Sequence, residues 1–221
     1  MIKGHIFDFN GTMFFDGAKH DYAWRKYLEQ QLGRPVVRVE LLQYVYGRPS
    51  AEILEHFLGK GLSPEEQQAA AADKEAVYRA LCLEDKKGLH LTDGLASYLD
   101  VLKQKHAKLT IASAANQENI DFYFKVFGLL RWFDREAVVC DDGTLRGKPA
   151  PDYYLEACRR IGLQPCECCV YEDSVSGVLA AHRANVGSIV AVYGDSDETM
   201  LRDQGFAKKY IRDFSEMMAE E

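Results

Sequence analysis

The sequence predicts an α/β protein: a doubly wound parallel sheet domain that carries an all-helical insertion. Short apolar runs alternate along the chain with longer segments of helical periodicity, which is typical of strands joined by crossover helices. The runs lack the apolar–polar alternation of half-exposed strands, as expected for strands buried on both faces of a parallel sheet. Between residues 17 and 88, helical periodicity continues with hardly any strand signal, and this predicts the insertion.

Four runs are predicted as strands, with helical segments between them. The strand segments are HIFDF from His5, KLTIASA from Lys108, CCVYED from Cys168 and SIVAVYG from Ser188. The helical segments are GLASYLDVLKQKH, NIDFYFKVFGL, APDYYLEACRRIGL and SVSGVLAAHRANV. Each helical segment ends near a glycine or a basic residue, as helices commonly do. This order predicts a sheet domain formed by residues 1–16 and 89–221.

The insertion, residues 17–88, is predicted to hold four helices. Their segments are HDYAWRKYLEQQLG, RVELLQYVYG, SAEILEHFLGKG and SPEEQQAAAADKEAVYRALC. Ser63 opens the last segment, with Pro64 next and Glu66 three residues later, which is the pattern of a capping box. We therefore expect the insertion to form a separate helical domain.

The composition of the chain argues against some classes of binding partner. The chain has 221 residues, 47% of them hydrophobic, which is enough for a buried core. Its 27 Lys and Arg against 34 Asp and Glu give a net charge of −7, which argues against binding to nucleic acid or an anionic membrane. The apolar stretch at the N-terminus is too short for a signal peptide, and no run approaches the roughly 18 apolar residues of a membrane span. We therefore expect a cytoplasmic protein, and a monomer because no exposed apolar seam is evident.

Three of the six cysteines lie in the cluster CECC, at residues 166–169. Such a cluster invites a zinc site, but a second ligand pair at finger-like spacing does not accompany it. The cluster also leads directly into a predicted strand. Reduced thiols at a strand entry are the preferred interpretation.

Polar groups follow the predicted strands at the edge where open α/β sheets bind their ligands. These groups are Asp8 and Asn10 after the first strand, Ser113, Ala114 and Asn116 after the second, Lys148 in the loop RGKPAPDYY, and Glu172 with Asp173 after the third. Carboxylates that meet at one crevice repel each other unless a cation holds them, and a set of oxygen ligands favours Mg²⁺. A lysine and hydroxyl or amide donors beside them would cradle a phosphoryl group, with one carboxylate left as the nucleophile.

Four motifs resemble those of the haloacid dehalogenase superfamily of phosphohydrolases, in its β-phosphoglucomutase-like branch. They are DFNGT, TIASA, GKPAPDYY and YEDSVSG, in the order and spacing of that family, and the helical insertion after the first strand is similar too. The resemblance implies a Rossmann-like core with a mobile helical cap that closes over the substrate. It also implies a Mg²⁺-dependent phosphatase that acts on a small phosphorylated metabolite.

The resemblance assigns the nucleophile and the metal ligands. It implies that Asp8 attacks phosphorus and becomes a phospho-aspartate. It implies that Asp8 and Asp173 hold Mg²⁺ together with the backbone carbonyl of Asn10, and that Glu172 assists directly or through water. Each acid also has a structural alternative to its functional role. Asp8 would cap the turn at the strand end, and Glu172 would be a carboxylate at a helix start, where the helix dipole favours it.

The resemblance also assigns the groups that bind the transferring phosphoryl oxygens, namely Ser113 and Lys148. The backbone amide of Ala114, next to Ser113, is expected to be a further donor to the substrate. For Ser113 the alternative is a buried hydroxyl that bonds its own backbone. For Lys148 it is a solvated loop lysine, although the prolines of GKPAP stiffen the loop.

Three further residues are candidates for substrate binding, each with a structural alternative. Asn116 follows the second strand, where it would equally cap the next helix. Arg48 in YGRPS would reach a substrate anion from the helical domain, or simply lie at the surface. His20 lies near the start of the helical domain, where it would face the site or pack beside Trp24 at i, i+4.

Asn10 departs from the family pattern, which usually places a second Asp at this position. That Asp protonates the leaving oxygen and then activates water, and an amide can do neither; general acid–base help is worth ~10² to 10⁴ in rate. The first hypothesis is therefore a phosphatase that is weakened or selective for its leaving group. The alternatives are a regulatory module that binds a phosphometabolite with little turnover, or a relative of the mutase or phosphonatase type.

Overall fold

The computed structural model shows two compact units. The residues it describes are 1–45, 50–59, 61–194 and 198–218. The first unit, here called the sheet unit, is formed by Met1–Phe15 and His90–Glu221. The second, the helical unit, is Asp16–Leu89. The sheet unit is therefore built from two separate segments of the chain.

The sheet unit contains six parallel strands within the described residues. They are β1 Gly4–Phe7, β2 Lys108–Asn116, β3 Val139–Asp141, β4 Cys168–Glu172, β5 Ser188–Val192 and β6 Lys209–Ile211. Their order in the sheet is β3-β2-β1-β4-β5-β6. This is the doubly wound order of Rossmann-like folds, so the predicted fold class is confirmed. The short edge strands β3 and β6 were not predicted, because three residues carry too little pattern to be recognised.

Helices account for most of the remaining described chain. They are α1 Gly17–Leu32, α2 Arg38–Tyr44, α3 Ser50–Leu58, α4 Pro64–Glu84, α5 Leu95–Gln104, α6 Gln117–Phe127, α7 Asp152–Arg160, α8 Val175–Arg183, α9 Thr199–Arg202 and α10 Ser215–Met218. None of these helices is both long enough and apolar enough to cross a lipid bilayer, as far as the described residues go.

Strand β1 lies at the centre of the sheet and sets the position of the residues that follow it. Phe7, its last residue, pairs with Ile111 of β2 on one side and with Tyr171 of β4 on the other. Asp8 therefore leaves the sheet beside Glu172, the last residue of β4. The parallel register brings these two carboxylates to the same edge.

Both faces of the sheet are buried, as its apolar strands require. On one face, Ile6 and Val170 belong to a core that includes side chains of α7 and α8. On the other face, Phe7 stacks on Tyr171 with ring centroids 4.4 Å apart, and Phe214 packs against both rings. The alternation of side chains along a strand explains why neighbouring residues serve opposite faces.

The helical unit has its own apolar core. Its buried members include Trp24, Leu28, Ile53 and Leu54 from α1 and α3. The predicted capping box at the start of α4 is confirmed: the hydroxyl of Ser63 accepts a hydrogen bond from the Glu66 amide, and the Glu66 carboxylate accepts one from the Ser63 amide.

The cysteines of the CECC cluster take different environments. Cys168 and Cys169 are buried in β4, whereas Cys166 is exposed in the preceding turn. All three are free thiols. This placement agrees with the interpretation as reduced thiols at a strand entry.

A polar network is buried inside the helical unit. Asp16 and Tyr78 are almost fully buried, and the Tyr78 hydroxyl donates a hydrogen bond to the Asp16 carboxylate. The Nε2 atom of His20 lies 3.3 Å from the same carboxylate, and its Nδ1 atom lies 2.9 Å from the Nζ of the buried Lys74. Lys74 in turn donates to Glu75 at 2.8 Å. Each buried charge therefore has an oppositely charged or hydrogen-bonding neighbour, as burial demands.

Substituting Tyr78→Phe should destabilise the helical unit. The change keeps the ring but removes the hydroxyl that solvates the buried Asp16 carboxylate, and we expect the free energy of unfolding to fall by about 1–3 kcal/mol. Urea unfolding followed by circular dichroism measures this difference. Tyr22→Phe, at an exposed position of α1, is the matched control and should change stability by less than about 0.5 kcal/mol. Equal effects of the two substitutions would contradict the assigned role of the network.

Candidate active site

Two loops and the end of β4, at the carboxyl edge of the sheet, bring Asp8, Lys148 and Glu172 together. Lys148 precedes α7 and extends its ammonium between the two acids, with Nζ 2.6 Å from Oδ1 of Asp8 and 2.5 Å from Oε1 of Glu172. All three side chains are at least nine-tenths buried. Lys148 is therefore a member of a buried ion cluster, and not the solvated loop lysine that the sequence left open.

Glu172 is held by hydrogen bonds at both of its oxygens. Oε1 accepts from Lys148 and from the Tyr154 hydroxyl, which lies 2.8 Å away. Oε2 accepts from the amide of Ser174 at 2.9 Å and from its hydroxyl at 3.0 Å. The carboxylate also packs on α8 so closely that a Cβ at Gly177 would lie 1.7 Å from Oε1. These contacts fix the orientation of the Glu172 side chain.

Asp173 lies against the loop that follows β1, close to Gly11 and Thr12. The hydroxyl of Thr12 lies 3.4 Å from its Oδ1. A Cβ at position 11 would lie only 2.0 Å from its Oδ2, so glycine is needed there for the carboxylate to approach the backbone. Gly11 also has a φ of +77°, which side chains strongly disfavour. The Gly-Thr pair after Asn10 therefore makes room for Asp173.

The electrostatics of the cluster reflect an excess of negative charge. Burial alone would lower the pKa of Lys148, but Asp8 and Glu172 outweigh burial and raise it well above its usual value. Burial alone would raise the pKa of Glu172, but Lys148 outweighs burial and lowers it. The pKa of Asp173 is raised well above its usual value, because it is buried and lies near the charges of Glu172 and Asp8.

The residues present fit a divalent cation by their chemistry. Among the described side chains of the cluster, three carboxylates face one ammonium, which leaves two negative charges that a divalent ion would balance. The donors are oxygens, the kind that Mg²⁺ prefers. Nowhere in the described chain do three Asp, Glu, His or Cys side chains lie close enough together to hold a metal ion as they stand. Asp8, Asp173 and the backbone carbonyl of Asn10 could hold it, and the Glu172 carboxylate beside them already accepts hydrogen bonds from Lys148, Tyr154 and Ser174.

The end of β2 carries the remaining candidates from the sheet unit. Ser113 is buried, and its hydroxyl oxygen accepts a hydrogen bond from the Ala115 amide at 3.1 Å. This contact is the one expected of a buried hydroxyl that bonds its own backbone. It uses the oxygen as an acceptor, so the hydroxyl proton remains available as a donor. Asn116 caps α6, because its side-chain oxygen accepts from the Asn119 amide at 2.9 Å. Ala114 is exposed.

Asn10 is turned toward α6. Its Nδ2 donates to the hydroxyl of the buried Tyr123 at 2.8 Å. The Tyr123 ring stacks on Phe9, with centroids 4.0 Å apart and planes 10° from parallel. Asn10 and Phe9, two consecutive residues of the loop after β1, are thus held by the same tyrosine.

His20 and Arg48 are the two candidate residues from residues 16–89. His20 has partners within its own unit, Asp16 and Lys74, and its ring stacks on Tyr78 at a centroid distance of 3.9 Å. Arg48 lies outside the described residues.

Sequence reasoning missed Tyr154 and Tyr123 as parts of the site, and it assigned no role to Thr12 and Ser174, which lie in the motifs DFNGT and YEDSVSG. Tyr154 lies in the quoted motif GKPAPDYY, but an aromatic residue one turn into an amphipathic helix is predicted as core, and no feature of the sequence shows that its hydroxyl reaches Glu172. Ser174 is different, because a serine directly after two acids at a helix start is a recognisable capping residue.

Comparison with known proteins finds a family model, relatives and a solved structure that match this chain. Residues 2–185 match the family model described as haloacid dehalogenase-like hydrolase. The chain is 30% identical to YhcW of Bacillus subtilis over 207 residues, which cover 92% of this chain and 89% of that protein. It is 28% identical to the fructose-1-phosphate phosphatase YqaB of Escherichia coli over 190 residues, 84% of this chain and 94% of that one. A crystal structure of a family IA, variant 3 hydrolase of this kind from Entamoeba histolytica superposes with a TM-score of 0.90 at 29% identity, covering 97% of this chain and 95% of that chain.

Asp173→Asn should stabilise the metal-free protein at neutral pH. The pKa of Asp173 is raised by folding, so its ionised form costs stability above the folded pKa, and this cost disappears as the pH falls toward the unfolded value. We expect a gain on the order of 1 kcal/mol at pH 7 that shrinks on acidification. Urea unfolding in the presence of a chelator measures it.

Glu172→Gln is the matched contrast. Its pKa is lowered by folding, so the ionised Glu172 contributes stability above the unfolded pKa that is lost as the pH falls through the folded pKa. This substitution should therefore destabilise the protein at pH 7. Destabilisation by Asp173→Asn would show that the charge excess has been misassigned.

Proposed function

The chain belongs to the haloacid dehalogenase-like hydrolase family, and we propose that it is a phosphatase that hydrolyses a small phosphorylated metabolite by way of a phospho-aspartate on Asp8. The observation that carries the proposal is the buried contact between Asp8 and Lys148, at the end of the central strand. The name of the Escherichia coli relative, a fructose-1-phosphate phosphatase, supports a sugar phosphate as the class of substrate.

In the first half-reaction, a carboxylate oxygen of Asp8 attacks phosphorus, and the bond from phosphorus to the leaving oxygen breaks. Lys148 stays protonated because its pKa is raised, so its ammonium donates to the transferring phosphoryl oxygens and offsets their charge. The hydroxyl of Ser113 is a further donor to these oxygens. In the second half-reaction, the oxygen of a water molecule attacks phosphorus and the bond from phosphorus to the Asp8 oxygen breaks. Phosphate leaves, the proton of the water passes to solvent, and the Asp8 carboxylate is restored.

Magnesium, when bound, would neutralise phosphoryl charge and orient the transferring group. Asp8, Asp173 and the carbonyl of Asn10 would hold it, as the oxygen donors and the excess negative charge of the cluster support. Gly11 contributes by letting Asp173 approach the loop after β1. Thr12 contributes a hydroxyl beside Oδ1 of Asp173.

Asn10 limits which leaving groups depart readily. An amide has no proton to give to a leaving oxygen and cannot act as a base toward water. Its donor is directed to Tyr123. We infer that esters whose leaving oxygen departs as a stable anion are favoured over alkyl phosphates, and that the phospho-aspartate accumulates.

Asn10 is also the observation that favours a second candidate function, a regulatory module that binds a phosphometabolite with little turnover. A single-turnover measurement of phosphate release separates the two functions. A phosphatase releases one leaving group per site in the burst of transfer and then releases phosphate slowly, whereas a binding module retains the intact ester.

Asp8→Asn should abolish phosphate release, because an amide is a far weaker nucleophile than a carboxylate. The wild-type activity should also require Mg²⁺ and be lost with a strong chelator. Both effects are measured by phosphate release across a panel of sugar phosphates and acyl phosphates.

Asp142→Asn is the matched control for Asp8→Asn. Asp142 lies exposed in the loop after β3, where its carboxylate accepts hydrogen bonds from Thr144, and its substitution should leave activity within about twofold. Activity that survives Asp8→Asn or chelation would refute the phospho-aspartate mechanism.

Asn10→Asp should raise the steady-state rate on alkyl phosphates by ~10² to 10⁴-fold, since it restores a general acid and base. With acyl phosphates the first half-reaction should change little, because their leaving oxygen scarcely needs a proton. Rapid-quench kinetics resolves the burst of transfer from the slow turnover that follows it in the wild type.

Asn185→Asp, at an exposed turn after α8, is the control for the added charge and should not alter the rate. If Asn10→Asp lowers the rate on a verified substrate, Asn10 is adapted to another reaction and the phosphatase proposal fails. An unchanged rate would mean that another group already supplies the proton.

A further inference from the structure

Tyr154 lies beneath the ammonium of Lys148. It sits in the first turn of α7, the helix that follows the Lys148 loop, and it is fully buried. The Nζ atom of Lys148 lies 5.1 Å from the centroid of its ring, within the range of a cation–π contact. Its hydroxyl donates to Oε1 of Glu172, the same oxygen that Lys148 contacts. One tyrosine therefore touches both members of the Lys148–Glu172 ion pair.

Lys148 needs a partner other than Asp8 to hold its position, because Asp8 itself reacts in the proposed mechanism. A lysine ammonium is a point charge on a flexible stem, so its position depends on its partners. During the proposed reaction, an oxygen of Asp8 becomes bonded to phosphorus and the charge of Asp8 changes. Glu172 takes no covalent part, so its hold on Lys148 persists through both half-reactions.

Glu172 can perform this task because its own orientation is fixed. Lys148 and the Tyr154 hydroxyl bind one of its oxygens, and the amide and hydroxyl of Ser174 bind the other. A metal ion would have to displace one of these donors to reach Glu172. The hydrogen bonds therefore direct Glu172 toward Lys148 and not toward a cation.

We propose that Tyr154 is a positioning residue which, through Glu172, holds Lys148 against the phosphoryl group in both half-reactions, and that Glu172 is part of this support and not a metal ligand. The inference rests on the proposed function of Lys148. It assigns to Tyr154 and Glu172 an effect on phosphoryl binding that is separate from the binding of Mg²⁺.

Tyr154→Phe tests the role of the hydroxyl, because it keeps the ring under the ammonium and removes only the bond to Glu172. We expect kcat to fall by about tenfold, the effect of losing a hydrogen bond to a charged group, with KM within about threefold. Calorimetry with inorganic phosphate in the presence of Mg²⁺ should show affinity reduced by about fivefold, and calorimetry with Mg²⁺ alone should show no change.

Tyr153→Phe is the matched control. Tyr153 is the neighbouring buried tyrosine of α7, and its hydroxyl interacts with Asp141 and not with Glu172. It should leave kcat, phosphate affinity and Mg²⁺ affinity within about twofold. An equal loss of kcat in both variants would reduce the role of Tyr154 to helix packing and overturn the proposal. So would wild-type kcat and phosphate affinity in Tyr154→Phe.

The role of Glu172 is tested by metal binding, which does not depend on turnover. Glu172→Gln should keep Mg²⁺ affinity within about threefold, whereas Asp173→Asn should lower it by more than about tenfold. An equal loss in the two variants would make Glu172 a metal ligand and overturn that part of the proposal. Thermal melting of each variant establishes that it is folded.

Failure of the proposed function is distinguishable from failure of this inference. If the wild type binds phosphate and Tyr154→Phe binds it more weakly, but neither protein releases phosphate from any ester, the phosphatase proposal fails and the positioning role stands. If the wild type turns over and Tyr154→Phe matches it in kcat and phosphate affinity, the positioning role fails and the phosphatase proposal stands.

Discussion

The sheet unit is organised around one buried ammonium, that of Lys148, shared by Asp8 and Glu172. Asp8 and Lys148 lie in loops and Glu172 ends β4, and the parallel register of β1 and β4 brings the two acids side by side. Burying like charges this close is unfavourable unless a cation lies between them. Two neighbouring residues are placed by reference to it: Tyr154 lies beneath the ammonium, and Asp173 lies near acidic charge that Lys148 only partly offsets.

The uneven distribution of charge gives different electrostatic environments to Glu172, which ends β4, and to Asp173, which follows it. Glu172 is stabilised as an anion by Lys148 and Ser174, whereas Asp173 is destabilised by burial and by its acidic neighbours. Adjacent residues of the same chemical type therefore suit different tasks. In the proposed mechanism, Glu172 supports Lys148 and Asp173 would hold Mg²⁺.

Much of this was accessible from the sequence, and the remainder depended on distances that a sequence does not contain. The strand exits predicted Asp8 and Asp173 as site residues, because parallel strands deliver their last residues to one edge, and the loop motif GKPAP predicted Lys148. Sequence patterns treat Glu172 and Asp173 alike, since hydrogen bonds from Tyr154 and Ser174 tell them apart only after folding. Tyr123 and Tyr154 read as ordinary core aromatics, because a hydropathy pattern records the ring and ignores the hydroxyl.

The pairing of β1 with distant strands has a consequence for the order of folding. Gly4 pairs with Lys108 on one side and Cys168 on the other, so β1 must remain unpaired until roughly 100 further residues are available. The helices α1, α3 and α4 contact one another over shorter separations along the chain than β1 and its partner strands, and contacts of shorter separation form faster. The pairing of the central strand thus depends on segments that lie beyond the whole insertion. Until then, its unpaired backbone N–H and C=O groups and its apolar side chains are open to aggregation.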